Sequence, residues 1–355
     1  MADESEAPGD SLRARASGSR WKLWFLLDAD RRLVSGLLVL LVFAGLVLAG
    51  VLLPGVASRM RSSDPVETLF QAFTTATITG VTLVLTLNQL VLSQELGAVG
   101  DQRDRMSGAM SFRSDVADVV DAPVSPARPA QVLRAMVQYA GDRADAFRDA
   151  VDASGDGGDG SGGGSDDDLQ GRVRQLTDSV TENADEVADE LDGAQFGEFD
   201  VISAALDFNY SWKLYAARRL RTRYRDDLSE AALQRLDDLV EVLELFGPAR
   251  EHFKTLYFQW ELIGLSRAVL ATSVPALVVS AAMVAFFDPG AVIGALGGVH
   301  PVVVVVSLAA TAATVPFLVL LAYVLRIATV TKRTLSIGPF ILRSTDDVDE
   351  VEWEG

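Results

Sequence analysis

The chain contains no cysteine, which excludes disulfides, thiolate metal ligands and S-acylation, and leaves the redox compartment unmarked. Histidine occurs only as His252 and His300, in separate segments without a neighbouring ligand cluster, so neither supports a metal site. No Gly-rich phosphate loop follows a strand-like run, and there is no nucleophile elbow or triad pattern. The chain therefore reads as a non-enzyme without a cofactor. Lysine is scarce, present only as Lys22, Lys213, Lys254 and Lys332 among 31 basic residues. Against these stand 49 acidic residues, a net charge of -18, with Asp outnumbering Glu by 33 to 16. That balance is like a haloarchaeal protein. At molar salt the screening length falls to about 3 Å, so such a surface neither repels nor recruits at distance. Nucleic acid is not an expected ligand. Disorder is excluded too, because 49% of residues are hydrophobic and they are strongly clustered.

The clusters are four runs long enough for a hydrocarbon core of about 30 Å, which takes about 20 residues of helix. They cover Leu33 to Leu53, about Leu69 to Leu92, about Ala268 to Phe287, and about Val302 to Leu325. None contains Asp, Glu, Lys, Arg or His, which argues against a proton-coupled transporter with an intramembrane relay. Pro275 and Pro316 predict local kinks in the last two. The fold class is an all-α integral membrane protein, with four transmembrane helices and a cytoplasmic helical domain inserted between spans 2 and 3.

Orientation follows from basic residues near the span ends. Arg20, Lys22, Arg31, Arg32, Arg103, Arg105, Arg113, Arg250, Lys254, Arg267, Arg326, Lys332, Arg333 and Arg343 fall on one side, against Arg59 and Arg61 on the other. Both termini are thus placed in the cytoplasm, in the cell membrane, with two short outer hairpins. The domains are 1–32, a cytoplasmic segment in which Trp21, Trp24 and Phe25 form an interfacial anchor in the bilayer; 33–92, spans 1 and 2; 93–267, the cytoplasmic helical domain; 268–325, spans 3 and 4; and 326–355, an acidic cytoplasmic tail. The first segment lacks a convincing signal-cleavage site.

The middle domain carries 34 acidic and 19 basic residues, most of the net charge. Gly97 and Gly100 weaken the helix leaving span 2, and Pro123, Pro126 and Pro129 mark a loop, with Pro129 suited to a first helical turn. Val132, Met136, Ala140, Ala144, Phe147 and Val151 recur at helical spacing. A Gly/Asp/Ser linker occupies 154–168. A calcium loop starting at Asp152 would need a bidentate Glu where Gly163 stands, so a solvated linker is favoured. Leu169, Val173, Leu176, Val180, Ala184, Val187 and Leu191 form a one-faced, coiled-coil-like stripe that requires a partner helix. Two further helices are expected, about Glu198 to Arg225 and, capped by Ser229, Glu230 to Phe246, ended by Gly247 and Pro248. The chain then runs unbroken into span 3. The basic run Lys213, Arg218, Arg219, Arg221, Arg223 and Arg225 fits either lipid headgroups or, preferably, a helix face paired with carboxylates.

Span 2 carries the most specific pattern. Thr68, Gln71, Thr75, Thr79, Thr82, Thr86, Gln89 and Ser93 step by three and four, placing all eight within an arc of about 80° on one helix face. Helix packing accounts for such a stripe through interhelical hydrogen bonds of about 0.6 kcal/mol each. A pore wall assembled around an oligomer axis accounts for its length across the whole membrane. Thr77 to Gly80 matches the Thr-x-Gly of cation selectivity filters, but within a full helix, where Gly80 better serves close backbone approach.

Two spans, a long helical segment, two more spans and a short tail is the plan of the bestrophins. In that layout, in "TLNQLVLSQELG" leaving span 2 and in "RTLSIGPFILRS" after span 4, the chain resembles the bestrophin-like membrane proteins of prokaryotes. The resemblance implies a homo-oligomeric ion channel, with inorganic anions as the permeant partner and span 2 lining the pore; no ligand residue is carried over. The alternative is a non-conducting membrane scaffold whose cytoplasmic helices bind a partner. The topology predicts that a protease-cleavable tag at residue 160 resists protease added to intact cells, and cleavage from outside would reverse it.

Overall fold

The structure, a computed structural model, describes residues 29–60, 63–155, 165–195, 199–292, 294 and 299–333. Among these the chain is all-helical, with ten α-helices and no strand. It divides into two compact units, one within Ala98–Tyr257 and one combining residues 29–97 with 258–330. Trp21, Trp24 and Phe25, the centre of the Gly/Asp linker and the tail from residue 334 lie outside the described residues.

The first of these units contains α4 (Val99–Val119), α5 (Pro129–Gly155), α6 (Ser165–Leu191), α7 (Phe199–Asp207) and α8 (Tyr210–Arg223). Both expected apolar stripes are buried along their full length, Val132 to Val151 on α5 and Leu169 to Leu191 on α6. They are each other's partner, in antiparallel register: Arg134 meets Asp192, Gly141 meets Ala184, Thr181 meets Asp145, and Arg148 meets Asp178. Polar pairs at the rim thus flank a dry seam. Both helices extend into the expected linker, α5 to Gly155 and α6 from Ser165. Asp167 and Asp168 favour that early start, because carboxylates stabilise a helix N-terminus.

The helix leaving span 2 breaks at residues 96–98, around Gly97 as expected, and α4 then runs through Gly100. Two further boundaries differ from the sequence expectation. The helix expected from Glu198 to Arg225 breaks at Phe208 and Asn209, where Asn183 Nδ2 donates to the Asp207 carbonyl at 3.1 Å and satisfies a helix-end acceptor. Finally, α9 (Glu230–Ala285) does not stop at Gly247 and Pro248. A proline inside a helix costs about 3 kcal/mol, and packing on both sides outweighs it here. Phe246 stacks on Phe208 and Tyr210 with ring centroids 4.9 and 5.9 Å away, and Arg250 lies 4.6 Å over the Tyr210 ring. Gly247 serves this contact: an added Cβ would sit 2.8 Å from Tyr210 Cε2. Ser229 caps α9 as expected, accepting from the Ala232 amide at 3.2 Å.

The second unit contains α1 (Arg31–Leu52), α2 (Val56–Met60), α3 (Ser63–Glu95), the end of α9 and α10 (Pro301–Arg333). Four helices are long and apolar enough to cross a membrane: α1, α3, α9 and α10. α10 is the most enclosed and α1 the least. α10 runs antiparallel to α1, meeting it at Val34 with Ala322 and at Gly50 with Val303. It runs parallel to α3, from Val66 and Phe70 beside Val302 and Val306 down to Gly80 against Phe317. Val84 then packs with Leu265 and Val269 of α9. Much apolar surface stays uncovered, including Leu33, Leu40, Leu41, Leu48 and Leu52 on α1. Leaving such side chains in water forfeits about 1.5–3 kcal/mol each, so these helices suit a lipid solvent.

In the first unit Asp168 ties α6 to α8. It accepts from the Tyr224 hydroxyl and from Arg172 Nε at 3.1 Å, and lies 3.8 Å from Arg223. The Tyr224 hydrogen bond, then that of Arg172, holds its carboxyl below the ordinary range, while burial and the same hydrogen bond raise the Tyr224 phenol. A lowered native pKa contributes stability that is complete above the unfolded value, about 3.9, and is lost as pH falls through the native one. Asp168→Asn is therefore expected to lower the unfolding temperature at neutral pH, with the gap to wild type closing as pH falls below the unfolded value and through the native one; melts followed by circular dichroism check this.

Candidate functional site

The polar stripe of α3 is exposed at every position: Thr68, Gln71, Thr75, Thr79, Thr82, Thr86, Gln89 and Ser93. The buried positions of the same helix are Val66, Phe70, Thr77 and Val84, with Phe73 and Gly80 half-buried between them. At about 100° per residue, the two sets are centred about 180° apart. Helix α3 thus packs against the rest of its own chain through one face and turns the opposite face, with all eight stripe residues, away from it. Apolar side chains border the stripe on both sides, Leu69, Leu83, Leu87 and Leu90 on one flank and Ile78, Leu85 and Leu92 on the other.

The hydroxyls of the stripe bond locally. Thr75, Thr79, Thr82 and Thr86 each donate to the carbonyl four residues back at 3.0–3.1 Å, and Ser93 donates to Leu90 at 2.7 Å. Such back-bonding is the usual way a helix accommodates Thr in an apolar setting. Gln71 and Gln89 are different, since a primary amide has two donor hydrogens and an acceptor. Gln71 Nε2 donates to Glu67 Oε1 at 3.0 Å, which leaves half of that amide unspent. Burying an amide in hydrocarbon without partners costs about 4–8 kcal/mol. A face with an amide near each end does not belong against lipid.

The string Thr77 to Gly80 lies in unbroken helix, with Ile78 and Thr79 exposed and its two ends facing inward: Thr77 is buried with no partner for its hydroxyl among the described residues, and a Cβ on Gly80 would meet Phe317 at 3.2 Å. Gly80 is a close-approach residue, as the sequence suggested. In the basic run, Arg218 pairs with Glu244 at 2.7 Å, Arg221 with Asp237 at 2.8 Å and Arg223 with Asp168, while Lys213 is fully buried. Three of the six thus pair with carboxylates, and Arg219 donates to the Tyr215 hydroxyl at 3.5 Å. His300 Nδ1 accepts from the Val302 amide at 3.2 Å at the start of α10, and the His252 ring lies tilted 5.6 Å from that of its neighbour Phe253. An acidic cavity of about 660 Å³ is lined by Asp115, Asp118, Tyr139, Asp238, Glu241 and Glu244. Arg143 and Arg235 approach its Asp238 at 3.8 and 3.5 Å, and burial raises the Tyr139 phenol.

The sequence reading overlooked one junction. Arg31, opening α1, pairs with Glu261 of α9, whose side chain is only 3% exposed, and its guanidinium lies 5.2 Å over the Tyr323 ring of α10. Gly264 sits beneath the Tyr323 hydroxyl. Three membrane-competent helices thus meet through one charge pair, and Glu261 Oε2 stays buried without a partner among the described residues. The available signal was a lone acid in the apolar helix leading into span 3, at the level of the arginines that open span 1. Removing one partner of a buried ion pair costs about 3–5 kcal/mol, because the other charge is stranded. Arg31→Ala is expected to lower the unfolding temperature of the detergent-solubilised protein sharply, and Arg31→Ala with Glu261→Gln to recover much of the loss.

No curated protein and no solved structure matches the chain. One family model does, across residues 1–355, described as a family of unknown function, DUF7972. With the whole length matched, the chain belongs to the DUF7972 family.

Proposed function

We propose that this protein is a multi-pass protein of the cell membrane that assembles as a homo-oligomer, with the α3 helices of neighbouring copies surrounding a passive pathway for inorganic ions. Thr75, Thr79, Thr82 and Thr86 form its wall. Thr68 and Gln71 stand toward one mouth, and Gln89 and Ser93 toward the other. The helical unit and both termini lie in the cytoplasm, where the excess of basic residues at the span ends puts them. The protein carries no catalytic centre in this reading.

One observation carries the proposal: α3 packs in its subunit through the face about 180° from an unbroken polar stripe that spans its length. Hydroxyls and amides gain nothing from lipid, so that face needs protein or water beyond the subunit. The apolar flanks suit contact with adjacent copies, which would leave the stripe between them facing the axis. The bestrophin-like layout supports the same arrangement. A second reading, the non-conducting scaffold, draws support from the local bonding of the Thr hydroxyls, which lets a stripe be packed without solvent.

The native chain has no cysteine, so single replacements separate the two. Thr75→Cys, Thr79→Cys, Thr82→Cys and Thr86→Cys should react with a water-soluble methanethiosulfonate, and modification should reduce the current of purified protein in a bilayer. Val66→Cys and Val84→Cys, on the packed face, should stay unmodified. Stripe cysteines that are as unreactive as these, in protein that passes no current, would establish the scaffold instead.

A further inference from the structure

We infer that the pathway takes cations rather than the anions the bestrophin resemblance implies, with the Asp64 carboxylate as its charge-selecting group. This rests on the pathway proposed above and adds the sign of the ion. The positions of the hydroxyl hydrogens favour a cation. In each contact from Thr75, Thr79, Thr82 and Thr86 to the carbonyl four residues back, the carbonyl has no hydrogen to give, so the hydrogen is the hydroxyl's own. A Thr hydroxyl has one hydrogen and two lone pairs. With the hydrogen spent along the helix, the wall offers lone pairs alone. Oxygen lone pairs replace the water around a cation; around an anion they replace nothing, since an anion needs donors.

Fixed charge points the same way, independently of hydroxyl geometry. From Ser63 to Glu95, α3 contains no Lys, Arg or His. Its first turn carries Asp64, exposed and about 160° from the centre of the packed face, within the arc of the stripe. Glu67 follows on the flank and accepts from Gln71 Nε2 at 3.0 Å, which spends one of the two N–H donors of that amide and adds a second carboxylate to this end of the helix. In sequence the nearest basic residue among the described ones is Arg59, on the separate helix α2, and it has an interaction of its own; Arg61 lies outside the described residues. In a ring of copies each subunit adds one Asp64 at the mouth, and rings of Asp or Glu select cations.

The effect is screened within about 3 Å at molar salt and within about 10 Å at 0.1 M, so it is measured near the lower value. Purified full-length protein is reconstituted in bilayers of uncharged lipid under a KCl gradient, and the reversal potential gives the K⁺ to Cl⁻ permeability ratio. A ratio above about ten is expected. Asp64→Asn should lower it by about threefold or more, and Asp64→Glu, which keeps the charge, should retain it. A channel that prefers Cl⁻, or a ratio that Asp64→Asn leaves unchanged, overturns the inference while the pathway stands. Absence of current together with unreactive stripe cysteines removes the pathway itself, a separate result.

Discussion

Because α3 turns Val66, Phe70, Thr77 and Val84 toward the rest of its own chain, the hydroxyls and amides half a turn away are committed to whatever surrounds the chain. In water this would matter little. In hydrocarbon, an unsatisfied polar group costs several kcal/mol, and apolar contact offers no hydrophobic gain to offset it. The packing of one helix face thus decides how the other must be covered. Gly80 is part of that decision, since its missing Cβ lets Phe317 of α10 approach, and the Arg31–Glu261 pair fixes the level at which α1 and α9 meet α10.

The helical unit within Ala98–Tyr257 follows a different logic. Its seam is apolar and its rim is ionic: Arg134, Arg148, Arg172, Arg218 and Arg221 each reach a carboxylate. Exposed pairs of this kind contribute about 0–1 kcal/mol each, and less in concentrated salt, so the buried stripes of α5 and α6 carry most of the stability. The acidic excess is therefore a property of the surface rather than of the fold. It is compatible with a salt-rich environment because the core does not depend on it.

Legibility in the sequence tracks how local the cause is. The four apolar helices could be read directly, since about 20 uncharged residues admit few other structures. So could the stripes ending at Val151 and Leu191, whose spacing alone fixes a buried face. The continuity of α9 through Gly247 and Pro248 could not, because it depends on Tyr210 and Phe246, which are distant from each other in sequence. The break at Phe208 and Asn209 likewise depends on Asn183 from another helix. For the candidate site, the eight polar residues and their common arc were visible in the spacing. Which way the arc points was not, because that follows from Val302, Val306 and Phe317 packing on the other side. The Arg31–Glu261 junction joins residues 230 positions apart and left only a faint local sign.

In the proposed assembly the polar faces of α3 from neighbouring copies look onto one shared axis, within reach of one another, and disulfide trapping tests this most directly. Oxidation of native membranes containing Thr79→Cys, in a chain with no other cysteine, should give a disulfide-linked dimer on a non-reducing gel, whereas Leu41→Cys on the exposed face of α1 should remain monomeric. A monomeric Thr79→Cys beside a cross-linked Leu41→Cys would contradict the account, because α1 rather than α3 would then face the neighbouring copy.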